Sequence, residues 1–173
     1  SRRYLVPSYG ASDRQHKYAL DVLTEILSGG TTGRLYRRLV VEQALAAHAG
    51  AWYSGDNRGP GVFGFYGSPR PGRTLDEIET AIEVEIAAVL ENGITDEEVK
   101  LAIERMQAEA VFARDSLNAP PRILGNALMS GQTIEDVEAW PERIGAVTKQ
   151  AVDAAARAVL STGGTVTTRL TPQ

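Results

Sequence analysis

The stretch Ile26-Leu27-Ser28-Gly29-Gly30-Thr31-Thr32-Gly33-Arg34-Leu35-Tyr36-Arg37-Arg38-Leu39 decides how the first part of the chain folds. Apolar residues recur at helical spacing over residues 18–27, and the Gly29-Gly30 pair predicts that this helix ends there. Beyond the glycines, helical spacing resumes and predicts a second helix over about Thr32–Gln43. We expect the arginines of this second helix to form a solvated face, with their aliphatic stems covering apolar surface.

Strand signals lie on both sides of this helical pair. Arg3–Val6 is a short β-prone run bounded by a proline and a glycine, and it predicts a first strand. Ser12 and Asp13 follow it and can cap the first helix. Further on, the runs 47–53 and 61–68 flank a turn-rich segment, and they predict an antiparallel hairpin with a seven-residue loop.

The second half of the chain predicts helices almost throughout. Two long helices begin at capping boxes, in which a threonine side chain is followed three residues later by a glutamate. These boxes are Thr74 with Glu77 and Thr95 with Glu98. The later predicted boundaries are Pro120-Pro121 before a segment Ile123–Met129, Thr133 before a short segment ending at Trp140 and Pro141, Thr148 at the start of the last helix, and a final strand Thr165–Leu170.

This order of elements predicts an α+β two-layer sandwich. One hairpin and two outlying strands make a mostly antiparallel sheet of about four strands, with the helices packed mainly on one face. With 173 residues the chain has the size of one domain, which we place over 1–173. It opens without an initiator methionine, and we interpret it as a piece of a longer protein.

Composition narrows the function classes. The chain has no cysteine, so disulfides, thiolate nucleophiles and iron–sulfur ligation are excluded for it. A net charge of −4 gives little support to nucleic-acid binding. No apolar run approaches the roughly 20 residues of a membrane span.

The search for chemistry returns no catalytic set. His16 and His48 lie far apart outside any zinc-binding string, and we predict that neither binds a metal. The glycine-rich run Ser28–Arg34 precedes a helix, where anions can bind, but it follows a helix and lacks the Lys-Ser/Thr ending, which favours a helix–helix turn. The acidic run 96–98 is explained by capping and the helix dipole. We therefore predict no catalytic, cofactor-binding or metal-binding residue in this chain.

Four segments in order carry a family resemblance. Residues 26–39 resemble the "iLGGG-x-x-SRLy-x-x-L" segment of the pitrilysin/insulinase-type zinc metallopeptidases, especially their mitochondrial-processing-peptidase-like branch. Tyr4–Tyr9 is similar to the opening strand of that family, and Gly93–Val99 to its "GiT-x-x-El" junction. Val147–Val152 is similar to the "vT-x-x-dv" start of its last helix. The resemblance covers nearly the whole chain.

The resemblance implies a place within a larger enzyme. In this family two homologous α/β domains form each half of a clam-shaped chamber, and this chain resembles the second domain of a half. The zinc site, an inverted His-x-x-Glu-His with a distant Glu, lies in the first domain of the catalytic half. The second domain of the opposing half supplies an Arg and a Tyr, within a string like R-E-K-Q-G-L-A-Y, that bind and polarise the substrate carbonyl.

The matching string departs from this pattern at both functional positions. It reads V-V-E-Q-A-L-A-A here, so that Val40 stands where the family has the Arg and Ala47 where it has the Tyr. Neither side chain can donate a hydrogen bond. The resemblance thus implies the second domain of the zinc-bearing half, and segments such as Gly67–Gly72 are similar to bacterial members that carry the zinc motif upstream.

The implied partners follow from that place. They are the chain's own upstream zinc domain, a partner half carrying the Arg/Tyr pair and the peptide substrates of the assembled enzyme. This chain alone is expected to be inactive, to bind no zinc, and to expose an apolar patch that promotes homodimers. The alternative is a catalytically dead scaffold or interaction subunit on the same fold. Bacterial periplasm and cytoplasm both remain open as the compartment.

Overall fold

Within residues 1–10 and 16–171, which the computed structural model describes, four strands form one antiparallel sheet in the order β2-β3-β1-β4. The strands are β1 (Arg2–Val6), β2 (Ala46–Ser54), β3 (Gly61–Pro69) and β4 (Thr165–Thr167). The hairpin β2–β3 keeps a continuous register from His48 opposite Ser68 to Ser54 opposite Val62, with an irregularity between Ala46 and His48. The predicted hairpin and the predicted fold class are confirmed.

The helices supply the second layer. They are α1 (Lys17–Ser28), α2 (Leu75–Asn92), α3 (Asp96–Arg114), α4 (Ala119–Ser130), α5 (Ile134–Glu138), α6 (Trp140–Gly145) and α7 (Lys149–Leu160). Side chains from the inner face of the sheet, including Tyr4, Phe63 and Phe65, are buried in one core with α1, α2, α3 and α7. Alternation along the strands leaves the other face, with Leu5 and Tyr66, exposed. No helix of the described residues is long and apolar enough to cross a membrane.

Local signals predicted most helix starts correctly. The capping boxes at Thr74 and Thr95 are both formed, and Thr148 caps α7 through the backbone N–H of Ala151. Thr133 also forms a box, with Asp136, at the start of α5. The predicted caps Ser12 and Asp13 lie outside the described residues.

The second predicted helix, Thr32–Gln43, is wrong in form. A short 3₁₀ turn at Gly30–Thr32 is followed by a helix that is of π type over Tyr36–Glu42. Its wider turns appear in the hydrogen bond from the N–H of Gln43 to the carbonyl of Arg38, five residues earlier. Tertiary contacts, described below, hold the carbonyls that this geometry frees.

Three other boundaries also differ from the predictions. Pro120 and Pro121 do not separate helices but lie in the first turn of α4, where a missing N–H has no cost. The segment predicted to end at Trp140 divides into α5 and α6, with Pro141 again in a first turn. The last strand has three residues rather than extending to Leu170, because only Thr165–Thr167 pairs with β1.

Candidate functional site

The positions that correspond to the family's Arg and Tyr lie on either side of a tight connection. Val40 is buried in the π-helix, and Ala47 lies at the irregularity near the start of β2. Arg70 joins the two sides: its Nη2 donates to the carbonyl of Val40 at 2.8 Å and its Nε to the carbonyl of Ala46 at 3.1 Å. Between them, Ala44 has a left-handed backbone with φ of 51°. The connection is therefore constrained, although neither Val40 nor Ala47 offers a polar side chain.

The glycine turn is held from α3. Arg105 Nη1 donates to the Gly29 carbonyl at 2.9 Å, to Thr32 Oγ1 at 2.7 Å and to Glu25 Oε1 at 3.2 Å. Gly29 is required here, because an added Cβ would lie 2.4 Å from the backbone carbonyl oxygen of Glu25. The turn presents a carbonyl to an internal cation, and this arrangement matches the predicted helix–helix turn rather than an anion site.

We expected the arginines after the turn only to form a solvated face. Arg34 and Arg38 also form ion pairs. Arg34 pairs with both carboxylate oxygens of Glu98, with Nε 2.5 Å from Oε1 and Nη2 2.6 Å from Oε2. Burial alone would raise the pKa of Glu98, but hydrogen bonds from Arg34 and Thr95 hold it down at about 2. Arg38 Nη1 lies 3.5 Å from Glu85, a carboxylate that is otherwise enclosed in the core. These pairs join the motif to α3 and α2.

The two histidines are far from any such cluster. His16 immediately precedes α1 with a left-handed backbone, and His48 is exposed on the outer face of β2. Over the part of the chain that the structure describes, no three His, Asp or Glu side chains are grouped so that they could hold a metal ion.

A cavity of about 950 Å³ lies between α1, α3 and the α4–α6 segment. Its floor contains Tyr9, Asp21 and Trp140. The Tyr9 hydroxyl donates to Oδ2 of Asp21, and the Trp140 indole Nε1 donates to the Tyr9 hydroxyl at 3.2 Å. Asp56 lies at the cavity edge and accepts a hydrogen bond from Gln132 Nε2 at 3.1 Å.

The electrostatic environment of Asp21 is unusual. Burial raises its pKa to about 7, against the hydrogen bonds from Tyr9 and Trp140 that favour the carboxylate. Asp56 raises the pKa further, and Lys17 lowers it by a smaller amount. Burial, together with the Asp21 charge, also raises the pKa of Tyr9 far above its usual range. The Asp21 carboxyl is therefore only weakly compensated.

Sequence reasoning missed this cavity for a simple reason. Tyr9, Asp21, Asp56 and Trp140 lie in four separate parts of the chain, and tertiary contacts bring them together: Tyr9 bonds Asp21 and the backbone beside Asp56, and Trp140 bonds Tyr9. Their spacing matches no motif.

The topology defines a two-layer α+β domain, and its described residues show no metal-binding group. Residues 3–106 match the family described as the Peptidase M16 inactive domain. The chain belongs to that family, and the membership predicted from its motifs is confirmed.

Relatives and solved structures agree with this membership. The chain is 28% identical over 155 residues to an uncharacterized zinc protease of Streptomyces coelicolor, a match covering 90% of this chain and 33% of that protein. The chain thus spans about a third of the length of the curated relatives it matches.

Two solved structures share the fold. The inactive peptidase domain of a proposed zinc protease from Bordetella parapertussis superposes with a TM-score of 0.85 at 20% identity, covering 99% of this chain and 91% of that one. A chain of the Candida albicans complex III dimer has a TM-score of 0.70 at 17% identity, covering 91% and 39%.

Proposed function

We propose that this chain is the second domain of the zinc-bearing half of a two-half endopeptidase. It forms part of the chamber wall and the packing surface for its own upstream domain. The bond-breaking step belongs to that upstream domain, in which zinc would activate the attacking water. This chain contributes no reacting group, and its work is to shape and close the chamber.

One observation carries the assignment to the zinc-bearing half. Val40 and Ala47 occupy the positions at which the family places its carbonyl-binding Arg and Tyr, and their backbone is held in place by Arg70. A catalytic half that lacks this pair would depend on the opposing half for it, which supports a zinc site in the domain upstream of this chain. The backbone of this connection is held in place, but its side chains at positions 40 and 47 cannot donate a hydrogen bond to a substrate.

The outer face of the sheet supports the packing role. Trp52 lies over its cross-strand partner Gly64, where an added Cβ would be 2.5 Å from the indole. Tyr66 lies over its partner Gly50 in the same way, at 2.6 Å from the hydroxyl. Both rings therefore pack closely over the sheet, and they add apolar surface against which a second layer can pack.

Exposure of this face points in the same direction. On the same face as Trp52 and Tyr66, Leu5 is 74% exposed and Val166 is 63% exposed. A sheet with one uncovered apolar face is typical of a domain separated from its neighbour. Because the relatives are about three times as long as this chain, we assign the missing cover to the upstream domain of the same protein.

The first test is to read the coding sequence upstream of Ser1. We expect a His-x-x-Glu-His string followed by a distant Glu. The full-length protein should then bind one zinc per chain and cleave peptides once its Arg/Tyr-bearing partner is added, whereas the 173-residue chain alone does neither. Absence of the upstream ligands would refute the catalytic assignment.

The packing surface has its own test. In the full-length protein, Leu5→Lys should separate the two domains, which limited proteolysis of the linker detects as faster cleavage. Val84→Lys, at a 55% exposed site on α2, is the matched control and should leave the cleavage rate unchanged. Equal cleavage of Leu5→Lys and wild type would exclude this face as the domain interface.

A scaffold is the second candidate function. The likeness in fold to a chain of the Candida albicans complex III dimer favours it, since that chain works within a large assembly. A protein that lacks the zinc ligands upstream but still assembles with a homologous half would identify the scaffold.

A further inference from the structure

We propose that the cavity between α1, α3 and α4–α6 is a binding site for a primary aliphatic amine, with the ammonium group held between Asp21 and Asp56. The inference concerns a site on the helical layer, away from the outer face of the sheet and from Val40 and Ala47. It holds or fails independently of the proposed peptidase role.

The two carboxylates are oriented but not neutralised. Asp21 is held by the neutral hydroxyl of Tyr9, and Asp56 by the neutral amide of Gln132. The two acidic groups repel each other. Neither forms an ion pair with a Lys or Arg of the described residues, and Lys17 has the smallest of the named influences on the Asp21 pKa, so an ammonium ion between the two carboxylates would add a direct counter-charge.

Aromatic rings around the carboxylates favour an organic cation over a bare metal ion. Tyr9, Tyr53 and Trp140 line the cavity, and aromatic faces attract ammonium groups. The protein already uses one of these rings in this way. The ammonium of Lys17 lies 4.8 Å from the ring centre of Tyr9 and 4.7 Å from that of Tyr18.

The remaining walls combine apolar side chains, which can contact an alkyl chain, with the polar residues Glu25, Glu109 and Glu138. Met106, Ile123 and Val137 line the cavity on the α3, α4 and α5 sides. Ligand sites commonly combine a mostly apolar lining with a few fixed polar groups in a volume of roughly 300–1,000 Å³, and the 950 Å³ observed here is at the upper end. Arg122 lines the α4 side, where the ligand's apolar end would lie.

The test is calorimetric titration of the 173-residue chain at pH 8 with three probes of matched design. Hexylamine carries both charge and chain, hexan-1-ol carries the chain alone, and methylamine carries the charge alone. We expect saturable one-to-one binding of hexylamine, with at least tenfold weaker binding of the other two. Equal affinity for hexylamine and hexan-1-ol would overturn the role of the carboxylates.

Variants locate the site. Asp21→Asn and Asp56→Asn should each weaken hexylamine binding at least tenfold, while Asp96→Asn, at the start of α3, should change the Kd less than twofold. Asp56 lies in an exposed loop and its variant is expected to fold even if Asp21→Asn does not. Unchanged binding by Asp56→Asn, or no saturable binding by wild type, would refute the proposal.

Discussion

The part of the chain before α4 and the arm that follows it, here defined as α4–α6 (Ala119–Gly145), are built differently. The first part contains the 3–106 family match, most of the buried apolar side chains and the Arg34 and Arg105 ion pairs. The arm buries few large apolar residues, Ile144 being one, and hydrogen bonds such as Trp140 to Tyr9 join it to the rest of the domain, here called the body. The family's shared motif thus marks the tightly packed region, and the cavity lies where the arm meets it.

Truncating one large apolar side chain in each region should give the largest contrast. Phe63 is fully buried in the sheet core, whereas Met129 in the arm is 76% exposed. Phe63→Ala should lower the free energy of unfolding by about 3–5 kcal/mol, and Met129→Ala by less than about 0.5 kcal/mol. Urea denaturation measures both. Similar losses would mean that the arm belongs to the same cooperative core.

Titration of Asp21, on the floor of the cavity where the arm meets the body, should make the stability of the domain depend on pH. The pKa of Asp21 is raised from 3.8 to about 7 on folding, so the folded state binds the extra proton between these values. Its contribution to stability is fully present below about pH 4 and is lost as pH rises through about 7. The loss is at most about 4 kcal/mol, from 1.36 kcal/mol for each pKa unit.

Asp21→Asn isolates this contribution. The amide cannot ionise, so the difference in urea midpoint between pH 5 and pH 8 should shrink relative to wild type. Asp96→Asn serves as the control and should keep the wild-type difference. A wild-type slope that persists in Asp21→Asn would assign the pH dependence to another group.

The Arg34–Glu98 ion pair should make stability depend on pH in the opposite direction and by a smaller amount. Arg34→Gln removes the partner of the half-buried Glu98 carboxylate and should cost about 1–3 kcal/mol at pH 7. Because the pKa of Glu98 is lowered from 4.5 to about 2, the pair stabilises the fold above pH 4.5 and its contribution disappears as pH falls through 2. A double-mutant cycle with Glu98→Gln measures the coupling, and a value near zero would contradict it.

Removing a helix cap should change stability least, and one cap in the body can be compared with one in the arm. Thr95→Ala in the body and Thr133→Ala in the arm each remove one capping box, worth about 1 kcal/mol. We expect Thr95→Ala to lower the global midpoint. Thr133→Ala should mainly speed amide hydrogen exchange in α5, because the arm opens locally. Equal global losses would indicate that arm and body unfold together.

Local signals predicted much of the fold because they act within a few residues. The capping boxes and the β2–β3 hairpin depend on neighbouring side chains, and these predictions are confirmed. The π-helix was not predictable, because Arg70 from the following hairpin holds its Val40 carbonyl. The predicted absence of catalytic and metal residues stays a prediction.

The candidate sites were harder to predict for the same physical reason. The Arg34–Glu98 pair joins residues 64 positions apart, so no periodicity reports it. Val40 and Ala47 were found only through the family motif, because an apolar residue in a helix or a strand carries no signal of a functional position. Asp21 carries no sequence signal either, because its hydrogen bond with Tyr9 and the bond from Trp140 to Tyr9 are tertiary contacts.

The pairing of Trp52 with Gly64 and of Tyr66 with Gly50 has a consequence for the entropy of assembly. Each ring packs closely over its glycine partner, which restricts its rotation once the domain has folded. A side chain immobilised on binding costs about 0.5–1.5 kcal/mol, and rings that are already restricted would incur less of that loss on docking. A neighbouring domain would therefore dock on this surface at a smaller entropy cost.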